Sequence, residues 1–364
     1  MGGVSARLIA FYLPQFHPIP ENDEWWGAGF TEWTNTAKAK PLFRGHYQPH
    51  VPADLGFYDL RVPETRAAQA ELAREFGIEA FCYYHYWFGG KRILERPFSE
   101  VLASGQPDYP FCLCWANQTW TGIWHGAPNR ILIEQTYPGE HDHRAHFETL
   151  LPAFRDPRYV KVDGKPVFVI FQPAELPEST KVLQLWRTMA KQAGLPGLHL
   201  VGTNLGVGRK PADFGLDAST TANLPARRPW VSRRTPIKWI RARYRDSIGM
   251  PTVYQYHQIA SQLIAPEVPG VEDYPCLIPN WDNTPRSGKN GLVLHGSTPE
   301  LFRIHALQAA ERARRMPPGR NLVFIKSWNE WAEGNHLEPD LKFGRAYLDV
   351  LRDVFIEQSG SPPP

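Results

Sequence analysis

The chain has 364 residues, 42% of them hydrophobic, and a formal net charge of +3. That length supports a sizeable core, and the nearly balanced charge removes a general electrostatic case for binding nucleic acid. Aromatic residues reach 13%, with 13 tryptophans, which points to a concave surface lined by rings.

The first apolar run, Leu8–Leu13, is of strand length, and Met1–Arg7 ahead of it lacks the form of a secretory signal. Seven further short runs follow in order: Ile78–Trp87, Pro110–Ala116, Pro166–Phe171, Leu198–Thr203, Leu216–Thr221, Pro275–Pro279 and Leu322–Ser327. They are continuously hydrophobic rather than alternating, as strands buried on both faces of a parallel sheet are. Helices between them have readable ends. Pro63 opens Glu64 to Phe76, which Gly77 closes; Glu178 to Ala193 ends at Gly194; Thr298 and Pro299 open a helix to about Met316; and Phe343 to Gln358 is the last. Eight such units predict an α/β protein, a single-domain (β/α)8 TIM barrel with long βα loops over residues 1–364. Its core covers about 7–357 and its tail, 358–364, should fray. A doubly wound open sheet is the runner-up, and the first strand lacks the GxGxxG of its dinucleotide-binding form.

No run approaches the roughly 18 apolar residues of a membrane helix. The cysteines, Cys82, Cys112, Cys114 and Cys276, sit in apolar runs without CxxC spacing, so buried reduced thiols are expected ahead of zinc or disulfides. A cytoplasmic protein is the expectation, with no metal and no cofactor.

A barrel keeps its chemistry where strands end. Polar and aromatic residues gather there. The first loop holds Trp26, Glu32 and Trp33; the second strand ends in Tyr84, His85, Tyr86 and Trp87. Past the third come Trp115, Asn117, Gln118, Trp120, Trp124 and His125, and past the seventh Asn280, Trp281 and Asp282. Strand alternation sends half of Tyr84 to Trp87 into the core and half to the mouth. Asp282 has Arg286 as an alternative partner. His141, His143 and His146 resemble a solvated helix start more than a metal site. Residues 225–251 are rich in arginine and form an insertion, either merely solvated or suited to weak association with an anionic glycan or membrane surface.

The last strand runs into Ser327-Trp328-Asn329-Glu330-Trp331-Ala332-Glu333-Gly334, followed by His336. Two carboxylates among indoles are the chemistry of glycosidic bonds. Three residues apart in a turn, their Cβ atoms lie about 5–6 Å apart, close enough to reach neighbouring oxygens of one sugar. An inverting pair needs roughly 6.5–9.5 Å across the ring. Barrel-rim salt bridging is the plain alternative.

The stretches FYLPQFHPIPEND, WWGAGFTEWTN, GHYQPHVPADLGFYDLR, AFCYYHYWFGGKRILERP, CLCWANQTW, IPNWDNTPR and SWNEWAEGNHLEPD together resemble the WbsX-type family, related to glycoside hydrolase family 99. The resemblance spans roughly residues 7 to 350. It implies a (β/α)8 barrel and a carbohydrate-active enzyme of bacterial surface polysaccharide or O-antigen metabolism. It also implies roles: Glu330 as base on a substrate 2-hydroxyl and Glu333 as general acid/base, through a 1,2-anhydro sugar. Gln118 departs from the family pattern, placing an amide where relatives carry an acid, and mannose specificity is not carried over. Three functions stay open: a retaining glycoside hydrolase on an oligo- or polysaccharide, a lipopolysaccharide glycosyltransferase, and a non-catalytic carbohydrate-binding protein. The chain shows no clear nucleotide-binding pattern or acidic metal motif, which favours the first.

Overall fold

The structure, a computed structural model, describes residues 6–122, 127–226 and 249–356, with backbone alone for 127–129. Eight parallel strands form the predicted barrel. They are β1 (Arg7–Tyr12), β2 (Ile78–His85), β3 (Phe111–Trp115), β4 (Lys165–Ile170), β5 (His199–Gly202), β6 (Ala218–Thr220), β7 (Asp273–Tyr274 and Cys276–Leu277) and β8 (Leu322–Ile325). All eight fall at the expected apolar runs, although β7 begins before its run, at Asp273, and all but a few of their residues are buried.

Closure happens at β7. Asp273 and Tyr274 pair with Ser219 and Thr220 of β6, whereas Cys276 and Leu277 pair with Phe324 and Ile325 of β8. Pro275 sits at the switch. It has no N–H to give either neighbour, but its carbonyl accepts from Phe324 N at 2.9 Å. β1 then joins β8 to β2, and the circle is complete.

The outer helices are α1 (Pro63–Glu75), α2 (Arg96–Ser104), α3 (Glu140–Arg155), α4 (Ser179–Gln192), α5 (Pro299–Arg314) and α6 (Ala346–Phe355). α1 and α5 begin at their prolines, and α6 is shorter at both ends than the sequence suggests. After β5 and β6 the described residues hold short pieces in place of full helices: the 3-10 turn Pro211–Phe214, the short helix Tyr256–Ile259 and the 3-10 turn Ala260–Gln262. In their place a parallel pair, Thr252–Gln255 with Leu292–His295, builds a second small core around Tyr256, Leu263, Ile278 and Trp281. That core stands beside the mouth of the barrel and carries Trp281 into it.

The four cysteines are buried and free. Among the described residues no helix is long and apolar enough to cross a membrane. His143 and His146 correct one expectation. They are buried rather than solvated, because α3 packs that face on the barrel: His146 stacks on Trp87 at 4.7 Å. Most of the basic insertion, 227–248, lies outside the described residues.

Candidate active site

A cavity of about 530 Å³ opens at the C-terminal ends of the strands. Every strand end reaches it: Gln15 follows β1, Tyr84 is on β2, Gln118 follows β3, Gln172 follows β4, Asn204 follows β5, Thr220 ends β6, Trp281 follows β7 and Lys326 follows β8.

The catalytic candidates are fixed by the chain just past β8. Asn329–Glu330 pairs antiparallel with Asn335–His336 around the 3-10 turn Trp331–Glu333. Ser327 locks this hairpin, its hydroxyl donating to the Asn335 carbonyl at 2.7 Å and accepting from Glu330 N at 2.9 Å. Gly334 turns the chain at φ +57, and a Cβ there would come within 2.9 Å of Asp282 Cβ and 3.0 Å of its nitrogen. The closeness has a purpose, since Asp282 N–H donates to the Glu333 carbonyl at 2.6 Å. Gly334→Ala should therefore cost about 2–4 kcal/mol from left-handed strain and overpacking. Thermal unfolding would record the loss; a variant as stable as wild type would mean the turn is not so constrained.

Glu330 and Glu333 both line the cavity and are 4% and 8% exposed. Their carboxyl groups are close enough to perturb each other's charge. Two cations divide them. Lys326 Nζ lies 3.2 Å from Glu330 Oε2 and donates to Tyr84 OH at 3.0 Å. Arg286 bridges Glu333 at 2.7 Å and Glu32 at 2.8 Å. Burial pushes Glu330 up, but Lys326 and Arg286 outweigh it and hold its carboxyl below the ordinary range. Burial raises Glu333 to about 7, with Arg286 opposing and the Glu330 charge adding to the rise. One acid thus stays ionised and its neighbour holds the proton.

Rings and amides make up much of the remaining wall. Trp26, Trp120, Trp281, Tyr84 and Tyr86 line the cavity, as does Gln118. The other expected residues stand outside it. Trp33 packs between Phe16 and Trp331 and donates to the Tyr58 carbonyl at 2.8 Å. It follows Glu32 in the same helical turn, so it faces the other way. His85 and Trp87 alternate with Tyr84 and Tyr86 and point outward, to His146 at 2.8 Å and Asp142 at 3.1 Å. Trp115 packs on His146 and Trp186.

Several polar candidates are occupied by the fold itself. Asn117 clamps both backbone groups of Gln172 at 2.8 Å. Asn329 does the same to Leu13, at 2.7 and 3.0 Å, and so ties the β8 end to the β1 end. Asp282 is held by His46 at 2.6 Å, Gln48 at 2.7 Å and Thr284 at 2.6 Å rather than by Arg286. Trp331 stacks on His336 at 3.8 Å and donates to Glu338 at 2.6 Å. Asn280 is half-buried off the cavity wall, and Trp124 and His125 lie outside the described residues. Glu32 was placed at the mouth without a role, and Arg286 and Lys326 were missed as site residues. Lys326 had a signal: it is a lysine inside the apolar run of a buried strand.

The sequence profile described as Glycosyltransferase WbsX matches residues 8–351. The chain belongs to the WbsX family. Within it, a protein called "Uncharacterized protein WxcX" from Xanthomonas campestris pv. campestris strain B100 is 40% identical over 351 residues. The alignment covers 96% of this chain and 49% of that relative, so the chain spans about half the relative's length. Among solved structures, a "Glycoside hydrolase-like protein" superposes with a TM-score of 0.60 at 15% identity, covering 98% of this chain and 96% of the other. The GH99 endo-alpha-mannosidase from Bacteroides thetaiotaomicron superposes with a TM-score of 0.56 at 15% identity, covering 96% and 95%. This WbsX-family chain therefore has a family-99-like barrel and is a carbohydrate-active protein.

Proposed function

We propose that this chain is a retaining glycoside hydrolase acting on an oligo- or polysaccharide of bacterial surface-glycan type, with Glu333 as general acid/base and Glu330 as base. The observation that carries the reading is the closeness of the two carboxyl groups together with their opposite charge states. Two carboxyl groups this close, in one turn, do not suit the roughly 6.5–9.5 Å gap of an inverting site. It suits two groups serving adjacent oxygens.

Glu330 takes the proton of the substrate 2-hydroxyl as O2 closes on C1. The C1 bond to the leaving oxygen breaks, and Glu333 protonates that oxygen. Water then opens the 1,2-anhydro sugar at C1, giving its proton to Glu333 while Glu330 returns one to O2. Two displacements at C1 retain configuration. Trp26, Trp120 and Trp281 offer ring faces to sugar C–H surfaces, and Gln118, Gln172 and Asn204 offer amides to hydroxyls.

The pH profile follows from the charge states. The working form has Glu330 ionised and Glu333 protonated, so kcat/KM should rise through a Glu330 limb below the usual glutamate range. It should fall as pH rises through the Glu333 limb near 7. Activity that keeps climbing well above neutral pH would remove Glu333 from the acid role.

Transfer from an activated donor is the second reading, favoured by the family's description as a glycosyltransferase. Incubating the purified chain with isolated O-antigens and capsular glycans, and separately with nucleotide sugars, separates the two. Release of reducing ends is expected. Turnover of nucleotide sugars alone would sink the hydrolase.

A further inference from the structure

His50, His336 and Asp340 meet outside the cavity, behind the turn that carries Glu330 and Glu333. One ring nitrogen from each histidine and one Asp340 oxygen lie within 4.8 Å of one another, and all three residues are buried. His336 Nε2 is 2.8 Å from His50 Nδ1 and 3.9 Å from Asp340 Oδ2.

The hydrogen bonds around the cluster fix its rings. His336 Nδ1 faces the Glu338 carbonyl at 2.9 Å, which can only accept, so Nδ1 carries the ring proton. His336 therefore aims its Nε2 lone pair at His50 Nδ1, with an Asp340 carboxylate oxygen beside it. Asp340 is already oriented. Its Oδ1 accepts from the backbone of Lys342 at 3.0 Å and Phe343 at 2.7 Å, and Tyr47 OH reaches Oδ2 at 3.2 Å. A ring fixed by a backbone carbonyl and a carboxylate fixed by backbone amides are the outer-shell supports that metal ligands receive.

We infer that His50 Nδ1, His336 Nε2 and Asp340 Oδ2 form a three-ligand site for a divalent transition metal. Two imidazoles and one carboxylate suit zinc or its neighbours better than calcium or magnesium. Around tetrahedral zinc, ligands bonded at 2.0–2.2 Å sit about 3.3 Å apart. His50 and His336 would part by about half an ångström and Asp340 would close on His336 by a similar amount, with water as fourth ligand. His50 moves its ring proton to Nε2 when the metal binds. The opposing charge is Lys342, whose ammonium lies over the Tyr47 ring at 4.3 Å. Bound metal would staple the His50 segment to His336, on which Trp331 stacks at 3.8 Å. Because Trp331 opens the turn holding Glu333, the ion would stiffen the catalytic hairpin from behind. This inference is independent of which glycosidic chemistry the cavity performs.

The test uses the whole chain, dialysed against chelator and titrated with zinc. One ion per chain should bind with sub-micromolar affinity and raise Tm by several degrees at saturation. Cobalt in its place should give the visible absorption of a low-coordinate site. His50→Gln leaves an amide to donate to the His336 lone pair but removes the ligand. It should keep the Tm of chelated wild type and lose about a hundred-fold in zinc affinity. Asp340→Asn, which keeps the Oδ1 acceptor for both backbone amides, gives the same reading should His50→Gln not fold. No uptake by wild type, uptake without a change in Tm, or equal uptake by the variants would each overturn the site.

Discussion

Glu333→Gln is expected to lower kcat/KM for release of reducing ends by about 10²–10⁴-fold while glycan binding persists. The amide keeps the shape and a hydrogen bond to Arg286 but cannot deliver a proton to the leaving oxygen. Substrates whose leaving groups need no protonation, such as nitrophenyl glycosides, should recover much of the first step in this variant. Glu330→Gln should recover nothing on the same substrates, because the 2-hydroxyl still needs its base. Full activity of Glu333→Gln on the natural glycan would place the acid elsewhere.

Lys326→Met is the second large effect. The ammonium lies 3.2 Å from Glu330 and is boxed by Tyr84, Phe171 and Trp281, with ring centroids 5.5–5.8 Å away. Removing it leaves a buried carboxylate without its nearest cation, a change that costs about 3–5 kcal/mol when a buried pair is broken. The sign with pH can be worked out. Glu330 sits below its ordinary range in the folded protein, so its stabilising share is present above the unfolded pKa and lost as pH falls through the folded one. Without Lys326 that pKa rises. The Tm deficit of Lys326→Met should therefore be largest at neutral pH and shrink under mild acid, while the acidic limb of kcat/KM moves upward. A deficit independent of pH, with an unmoved acidic limb, would reduce Lys326 to a packing residue.

How much of this was legible in the chain differs by element. Continuous apolar runs located all eight strands, since a strand buried on both faces leaves no polar alternation to misread. Prolines and glycines at helix ends placed α1, α4 and α5. The insertion after β6 was visible, but the second core beside it was not, because its parallel strands Thr252–Gln255 and Leu292–His295 come from separate stretches of chain. Within β2, the period of two said that half of Tyr84 to Trp87 would face the mouth but not which half. The outer helix α3 made it Tyr84 and Tyr86, since His85 and Trp87 meet its His146 and Asp142.

The carboxylate pair was readable for a local reason: Glu330 and Glu333 lie in one turn, and their relation is set by three residues of backbone. Glu32, Arg286 and Lys326 belong to the same electrostatic unit, yet the first two stand 254 residues apart in sequence. Asp282 and Arg286 were the natural local pair, but closure of the barrel gave Asp282 to His46 and Arg286 to the two glutamates. Asn117 and Asn329 likewise read as sugar ligands and serve as clamps on neighbouring strand ends. The sequence by itself determined the strand count, the end of the barrel where polar and aromatic residues gather and the adjacency of Glu330 and Glu333. Only the tertiary structure decided which acid keeps the proton, because a carboxyl group's charge state depends on burial and on cations brought in from distant strands.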